Sequence, residues 1–246
     1  WTEPGAIFVG VKGGSASVNH AHMDIGSFVM EADGIRWAMD FGSQDYHSLE
    51  SKGVDLWGRE QDSQRWQVFR YNNLVHNTLT IDGQLQQASG FAPINRHSAD
   101  PRLMHAQVDL TKIYEGQISK AERGVGIVDG RYVVVRDELE TREKETTVRW
   151  TLLTPAEVTI TGANSAELSL DGRKLRLEVR EPAKVAMKTW STNPPHDYDA
   201  PNPGTTLVGF EAVLPAKKRV AAVVLLIPEG VNKPAVKDLG ALASWP

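Results

Sequence analysis

The stretch from Glu167 to Val179, with the sequence ELSLDGRKLRLEV, decides the fold. Polar and apolar residues alternate along it on both sides of Asp171-Gly172. Successive side chains of a β-strand point to opposite faces of a sheet, so this alternation is typical of a half-buried strand. Because Asp-Gly accepts the left-handed backbone of a tight turn, the stretch predicts a β-hairpin.

Hairpin signals and strand-like runs recur along the whole chain, whereas helical periodicity is weak. Asp-Gly also occurs at Asp33-Gly34, Asp82-Gly83 and Asp129-Gly130. Runs rich in β-branched, aromatic and other apolar residues lie at 131–135, 146–153 and 219–227, and the last predicts a strand buried on both faces. Only the stretch 48–69 has room for a turn or two of helix, and the proline-rich stretch 194–204 predicts a surface loop. The pattern predicts an all-β protein, a large antiparallel β-sandwich.

Length and composition indicate one globular domain that covers residues 1–246. The chain has 246 residues, of which 41% are hydrophobic and 24% charged, and it has no cysteine, so disulfides and thiolate metal ligands are excluded. The net charge is −4 and the basic residues are scattered, which argues against a nucleic-acid partner but leaves an acidic polysaccharide open. The longest apolar run is too short for a membrane span. Since the first residue is Trp1, we expect the chain to be a piece of a longer protein.

The candidate chemistry starts in the segment Asn19–Gly26, which also alternates with period two. If the segment is extended, His20, His22 and Asp24 lie on one face and the apolar residues between them on the other. Three ionisable side chains on one strand face are costly in a core and useful in a cleft.

Two further polar residues stand in strand-like runs: Asp40 in the apolar run 35–42, and His76 in the run 74–81, where polar and apolar residues alternate. Two imidazoles and a carboxylate, without thiols, suit a Zn²⁺ ion with an open fourth position. The alternative is that these are separate hydrogen-bonded histidines that line a sheet.

Simple hairpin geometry makes a site with both His22 and Asp40 difficult. A two-residue loop at Asp33-Gly34 pairs Asp40 with Ser27, and its side chain then faces away from His22. A three-residue loop corrects the face but leaves the two residues four positions apart along the strand, roughly 13 Å. Either the segment Asn19–Gly26 therefore bends back, with Gly26 as the candidate position, or His22, Asp40 and His76 do not form one site.

The order of these motifs resembles that of the heparinase II/III-like polysaccharide lyases. The residues that carry the resemblance are Asn19-His20-Ala21-His22-Met23-Asp24, Ser27-Phe28, Gly34, Asp40-Phe41-Gly42 and His76-Asn77-Thr78. The close match covers about residues 5–83, and the rest is similar only in its β character.

The resemblance implies the C-terminal β-sandwich of a protein whose N-terminal part is a helical (α/α) toroid, a domain that is absent from this chain. It implies zinc ligation by His22, Asp40 and His76, and it makes His20 an active-site residue that contacts the substrate. Asp24 is expected to orient one of the ligand histidines without binding the metal itself. Tyr46 and Arg70 are weaker candidates for substrate binding.

The resemblance also implies the reaction, which is cleavage of uronic-acid-containing glycans of the heparan, hyaluronan or alginate type by β-elimination. In that family a tyrosine and another histidine of the helical domain act as acid and base, so this chain is expected to be inactive alone. It further implies a periplasmic or extracellular bacterial location. Assembly as a homodimer is left open.

Two other readings of the same residues remain. His22, Asp24 and His76 also fit the two-histidine, one-carboxylate set that holds non-haem Fe(II) in oxygenases, with Arg96 as a loose candidate for binding a 2-oxo acid. A noncatalytic carbohydrate-binding sandwich would bind no metal. The remaining histidines, His47, His97, His105 and His196, belong to no constellation and are expected to be solvated or packed in the core.

Overall fold

The computed structural model describes residue 3, residues 5–231 and residues 239–246, and within them the chain is nearly all β, with 43% strand and 8% helix. The strands are β1 (Phe8–Val11), β2 (Phe28–Ala32), β3 (Ile35–Ala38), β4 (Leu79–Ile81), β5 (Ile94–Ser98), β6 (Leu103–Asp109), β7 (Lys120–Val128), β8 (Tyr132–Glu140), β9 (Thr146–Thr154), β10 (Glu157–Gly162), β11 (Ser165–Leu170), β12 (Arg173–Glu181), β13 (Met187–Trp190), β14 (Thr206–Leu214) and β15 (Arg219–Pro228). The helices are α1 (Tyr46–Glu50) and short 3₁₀ turns at Gln64–Gln67, Phe69–Tyr71, Asn73–Val75 and Leu242–Ser244. No helix among the described residues is long and apolar enough to cross a membrane.

The strands form three sheets in which all pairs are antiparallel, as predicted. The largest has eight strands in the order β10-β11-β12-β15-β8-β7-β6-β5. The two smaller sheets have the orders β1-β2-β3 and β13-β14-β9-β4. The main hydrophobic core takes residues from all three sheets, so the smaller sheets pack on one face of the large one. This is the expected antiparallel β-sandwich.

The Asp-Gly turns form where the sequence predicts them. At Asp171-Gly172 the loop has two residues, Leu170 pairs with Arg173, and both loop residues have positive φ (50° and 75°). Asp33-Gly34 joins β2 to β3 in the same way. Asp82-Gly83 also turns, but it leads only to an isolated bridge between Ile81 and Gln84.

Strand β15 is buried on both faces because a second layer covers the outside of the large sheet. Val224 and Leu226 point into the main core, whereas Val223 and Leu225 point outward into a second apolar cluster. That cluster is completed by the C-terminal segment 239–246, through Leu239, Leu242 and Trp245. The near-continuous apolar run of β15 therefore has a partner on each side.

Candidate metal centre

The segment Asn19–Gly26 is a set of turns, so the prediction of an extended strand is wrong. Strand β2 starts only at Phe28, and residues 21–25 are all buried regardless of their parity. The backbone N–H of Met23 donates to the carbonyl of Tyr71 at 2.9 Å, which fixes the turn against a different part of the chain. Because the segment does not alternate, exposed His20 and buried His22 do not share a face.

The bend that the site requires lies at Gly26. Its φ is +81°, a backbone conformation that L side chains rarely adopt, and a Cβ there would stand 2.8 Å from Leu110 Cδ1. The Gly26 N–H donates to the Lys12 carbonyl at 2.9 Å. Both the conformation and the space demand glycine, and the bend returns Asp24 and His22 toward the rest of the site.

A β-bulge in the hairpin between β2 and β3 brings Asp40 to the site. Both registers predicted from the sequence, with a two-residue and a three-residue loop, lack this bulge. Ala32 pairs with Ile35 across the two-residue loop, but the register then shifts, so Met30 pairs with Ala38. A shift of one residue turns every following side chain to the opposite face. Asp40 follows this shift, and its Oδ1 accepts a hydrogen bond from the Gly42 N–H at 2.7 Å.

His76 and Asp40 contact each other directly. His76 Nδ1 lies 2.8 Å from Asp40 Oδ2, and His76 Nε2 lies 3.0 Å from the Arg70 carbonyl oxygen. A carbonyl only accepts, so Nε2 carries a proton and Nδ1 faces the carboxylate. Burial alone would lower the pKa of His76, but the hydrogen bond and charge of Asp40 raise it. Burial likewise opposes ionisation of Asp40, yet the hydrogen bond and charge of His76 hold the pKa of this carboxyl below its usual range.

His22 is buried between aromatic and cationic neighbours and is held neutral. Its ring stacks on Tyr71 with centroids 4.2 Å apart, and the His76 ring lies 6.1 Å away. Burial, followed by the charges of His76, Arg65 and Lys12, lowers the pKa of His22 to about 3. Within the described part of the chain, His22 Nε2 is buried and has no hydrogen-bond partner.

Asp24 lies in the same cluster and forms an ion pair with Lys12. The Lys12 ammonium is 2.8 Å from each carboxylate oxygen of Asp24. One ligand atom each of His22, Asp24 and His76 lies within 4.8 Å of the others. The expected role of Asp24, which is to orient a histidine, stays a prediction, since the contact that the structure gives it is Lys12.

The residues present fit a divalent metal ion. The ligand atoms of two buried imidazoles and the Asp24 carboxylate lie within 4.8 Å of one another, Asp40 contacts His76, and one ring nitrogen, His22 Nε2, is unpartnered. The Nε2–H of His76 donates to a backbone carbonyl, which leaves Nδ1 as the ligand atom. His22, His76 and either carboxylate would supply a nitrogen-and-oxygen donor set that suits Zn²⁺.

A buried guanidinium holds two of the ligand-bearing segments together. Arg123 and Asp137 are fully buried partners on β7 and β8, joined by bonds of 2.7 and 3.0 Å. The remaining Arg123 nitrogen, Nη1, donates to the carbonyls of Gly26 and Asn77, both at 2.8 Å. Gly26 ends the segment of His22 and Asp24, and Asn77 follows His76, so the ion pair fixes the distance between them.

The side chain of Asn77 ties in the third ligand-bearing segment. Its Nδ2 donates to the carbonyls of Phe28 (2.7 Å) and Met39 (2.8 Å), and its Oδ1 accepts from the Leu153 N–H at 2.5 Å. Met39 precedes Asp40. All three groups that the sequence analysis assigned to zinc are therefore positioned by backbone contacts of buried side chains.

His20 and Tyr46, which were predicted separately, lie in contact beside the buried cluster. His20 has a left-handed backbone (φ 61°) and is exposed. Its Nδ1 lies 2.8 Å from the Tyr46 hydroxyl, and the two rings are parallel with centroids 5.8 Å apart. A non-glycine residue held at positive φ is uncommon and marks a position where the surroundings impose the conformation.

The Arg70 guanidinium donates its hydrogen bonds to backbone carbonyls and a side-chain amide of the protein. It donates to Asn202 Oδ1 at 2.9 Å and to the Pro201 carbonyl at 3.1 Å, and its guanidinium lies over Phe41. It anchors the 191–205 loop to the site, and its role in substrate binding stays a prediction. Of the other histidines, His105 contacts the C-terminal Pro246 and His196 contacts Asp199.

Two residues that position the site were missed from the sequence, Lys12 and Arg123. Lys12 is an isolated cation at the end of a strand, and such a position carries no sequence pattern. Arg123 does carry one, because it stands in phase with the buried residues Ala121 and Val125 of β7.

The fold and the cluster together define a β-sandwich with a candidate metal centre at the ends of its short strands. A search of curated protein sequences finds no significant match. The family model for the heparinase II/III-like C-terminal domain matches residues 3–222, and the chain belongs to this family.

Solved structures of heparinases have the same fold. The chain is similar to heparinase III (BT4657 gene product with methylated lysines; 20% identity, TM-score 0.68, covering 93% of this chain and 35% of that chain). It is similar to a second heparinase III structure, with 16% identity and a TM-score of 0.70, over 92% of this chain and 34% of that chain. It is also similar to the heparan sulfate lyase HepC from Pedobacter heparinus, with 17% identity and a TM-score of 0.69, over 94% of this chain and 34% of that chain. The chain thus spans about a third of the length of these proteins.

Proposed function

We propose that this chain is the zinc-binding β-sandwich portion of a polysaccharide lyase that cleaves uronic-acid-containing glycans of the heparan, hyaluronan or alginate type by β-elimination. The observation that carries the proposal is the cluster of buried His22 and His76 with half-buried Asp40, beside exposed, conformationally strained His20, in a member of this family.

The proposed ligands are His22, Asp40 and His76. Asp40 and His76 are already in contact, and the unpartnered Nε2 of His22 supplies the third donor. When bound, the ion supplies fixed positive charge and links three chain segments, so its role is chiefly structural. The Lys12 ammonium neutralises Asp24 and leaves Asp40 as the carboxylate for the metal.

His20 is proposed to contact the carboxylate of the uronate. The proton on C5 of the sugar is acidic only when this carboxylate is neutralised by donors or cations. A base then removes the C5 proton, the bond between C4 and the glycosidic oxygen breaks, a C4–C5 double bond forms, and the leaving oxygen takes a proton. Tyr46 holds Nδ1 of His20, which leaves Nε2 for the substrate.

The base and the acid are proposed to come from an N-terminal helical domain, so the chain alone is expected to be inactive. This is supported by the share of the heparinase structures that the chain spans, about a third. A periplasmic or extracellular location belongs to the same proposal.

The test is elemental analysis of the purified chain without added metal, with the variants His22→Ala, Asp40→Ala, His76→Ala and Asp24→Ala. We expect close to one zinc per chain, lost in the first three variants and kept in Asp24→Ala. Removal of zinc by a chelator should lower the melting temperature, since binding to the folded state alone stabilises it. Zinc that survives Asp40→Ala would contradict the ligand set.

One observation favours a second candidate, the Fe(II) oxygenase, because His22, Asp24 and His76 form the tight three-residue group. Against it, Asp24 is engaged by Lys12. Arg96, the candidate for the 2-oxo acid, donates instead to the C-terminal carbonyls of Leu242 and Trp245. Iron that is lost in Asp24→Ala would favour the Fe(II) oxygenase over the lyase, and no metal in any variant would favour a noncatalytic sugar-binding sandwich.

A further inference from the structure

Trp57 is a large aromatic side chain that is fixed in place yet 59% exposed. Its indole N–H donates to Glu50 Oε1 at 2.9 Å, and its backbone N–H donates to Asp55 Oδ1 at 3.1 Å. Its ring meets the Tyr46 ring at 83° with centroids 5.5 Å apart. These contacts set the orientation of the indole while most of its surface stays open to a ligand.

The indole is linked to His20 through one intervening ring. Tyr46 contacts Trp57 on one side and stacks on His20 at 5.8 Å on the other, with its hydroxyl bonded to His20 Nδ1. A second link joins the same two segments, since the Arg59 guanidinium donates to the Asn19 side chain. The surface formed by His20, Tyr46 and Trp57 is therefore one connected unit, hereafter the aromatic surface.

The charge around Trp57 is negative. Glu50 and Asp55 bond directly to its two N–H groups, and Glu60 is also exposed on the same loop. The nearby cation Arg59 donates to the neutral Asn19 amide and keeps its charge, but the three carboxylates outnumber it. A second anion placed against these carboxylates would be repelled, because like charges in contact across an interface are strongly unfavourable.

We propose that Trp57 is a stacking platform for an uncharged sugar residue that neighbours the uronate held at His20, and that it selects against sulfate on that sugar. This inference rests on the proposed function. The apolar face of a pyranose buries well on a rigid aromatic ring, whereas the acidic residues around the ring disfavour a charged substituent. A glycan in which uronates alternate with neutral amino sugars fits this surface, with the uronate at His20 and the amino sugar on Trp57.

The test uses the zinc-loaded 246-residue chain labelled with 5-fluorotryptophan and followed by fluorine NMR. The resonance of Trp57 is assigned by its loss in Trp57→Phe. The probes are an unsulfated glucuronate–N-acetylglucosamine tetrasaccharide and the same tetrasaccharide with 6-O-sulfated glucosamines. We expect the unsulfated probe to shift the Trp57 resonance. In isothermal titration calorimetry we expect it to bind about tenfold more weakly to Trp57→Ala, and the sulfated probe to bind the unchanged chain more weakly than the unsulfated one.

Phe91→Ala is the matched control, because Phe91 is 60% exposed and lies in another loop, and it should bind like the unchanged chain. Equal affinity of the unchanged chain and Trp57→Ala would overturn the platform and leave the zinc centre and the lyase proposal intact. Tighter binding of the sulfated probe through Trp57 would overturn the selection against sulfate. A chain that binds zinc but shifts no Trp57 resonance with either probe would also overturn the platform, whereas a chain without zinc would refute the proposed function itself.

Discussion

Replacement of Arg123 by methionine should destabilise the protein severely. Arg123 and Asp137 are both 0% exposed, so the substitution leaves a buried carboxylate without its partner. Breaking a buried ion pair in this way costs about 3–5 kcal/mol. The carbonyls of Gly26 and Asn77 also lose their donor, which adds roughly 1 kcal/mol each. The expected loss in unfolding free energy is therefore about 5–7 kcal/mol.

The double variant Arg123→Met/Asp137→Leu separates charge from packing. With both charges removed, only the two carbonyls remain unsatisfied, and the double variant should lie within about 2 kcal/mol of the unchanged protein. Urea unfolding followed by circular dichroism measures all three proteins. The reasoning is refuted if the single variant loses less than about 1 kcal/mol, or if the double variant is no more stable than the single one.

The double variant also tests the link between the ion pair and the metal centre. It keeps a folded core but no longer ties Gly26 to Asn77, so the segments of His22 and His76 lose their common anchor. Zinc affinity should fall by about tenfold or more, as for other groups that orient metal ligands. Thr141→Val, which removes a buried hydroxyl that bonds the Pro215 carbonyl elsewhere in the fold, should leave zinc affinity unchanged.

Three further substitutions have defined outcomes. Asn77→Ala removes an amide that bonds three backbone groups, two of them in fully buried bonds, and should lower the unfolding free energy by at least about 2 kcal/mol in a urea titration. Gly124→Ala places a Cβ 2.4 Å from Leu242 and 2.7 Å from Trp245, so the C-terminal segment must move, at about 1–3 kcal/mol, visible as a lower melting temperature. Burial lowers the pKa of His105 below 6.5, so the unfolded chain takes up a proton before the folded one does, and stability falls as the pH drops below about 6.5. His105→Gln should reduce this pH dependence without abolishing it, because the lowered pKa of His22 acts in the same direction, and an unchanged slope would contradict the role of His105.

The fold class could be predicted because alternation and Asp-Gly turns are local signals. The hairpin at Asp171-Gly172 has the predicted loop and register, and the apolar run of β15 is buried on both faces as expected. The second layer over β15 was not predicted, since it depends on which distant segment covers the sheet.

The candidate site residues were named from the sequence and its family resemblance, but their arrangement could not be derived from it. The alternation of Asn19–Gly26 indicated a strand, yet tertiary contacts, such as that of Met23 with Tyr71, override this local preference. The Arg123–Asp137 pair, by contrast, was available to sequence reasoning. Each residue stands in phase with buried apolar residues of its own strand, and the two pair directly across β7 and β8.

The bulge in the β2–β3 hairpin restricts the number of residues that the hairpin can have. The number of residues between Met30 and Asp40 sets the face on which the carboxylate emerges, since one residue more or fewer turns the side chain around. Homologous chains with this site are therefore expected to keep the hairpin at constant length, or to change it by two residues at a time. The hairpin at Asp171-Gly172 bears no such restriction from the site, and its turn is the better place to insert a tag or a reporter.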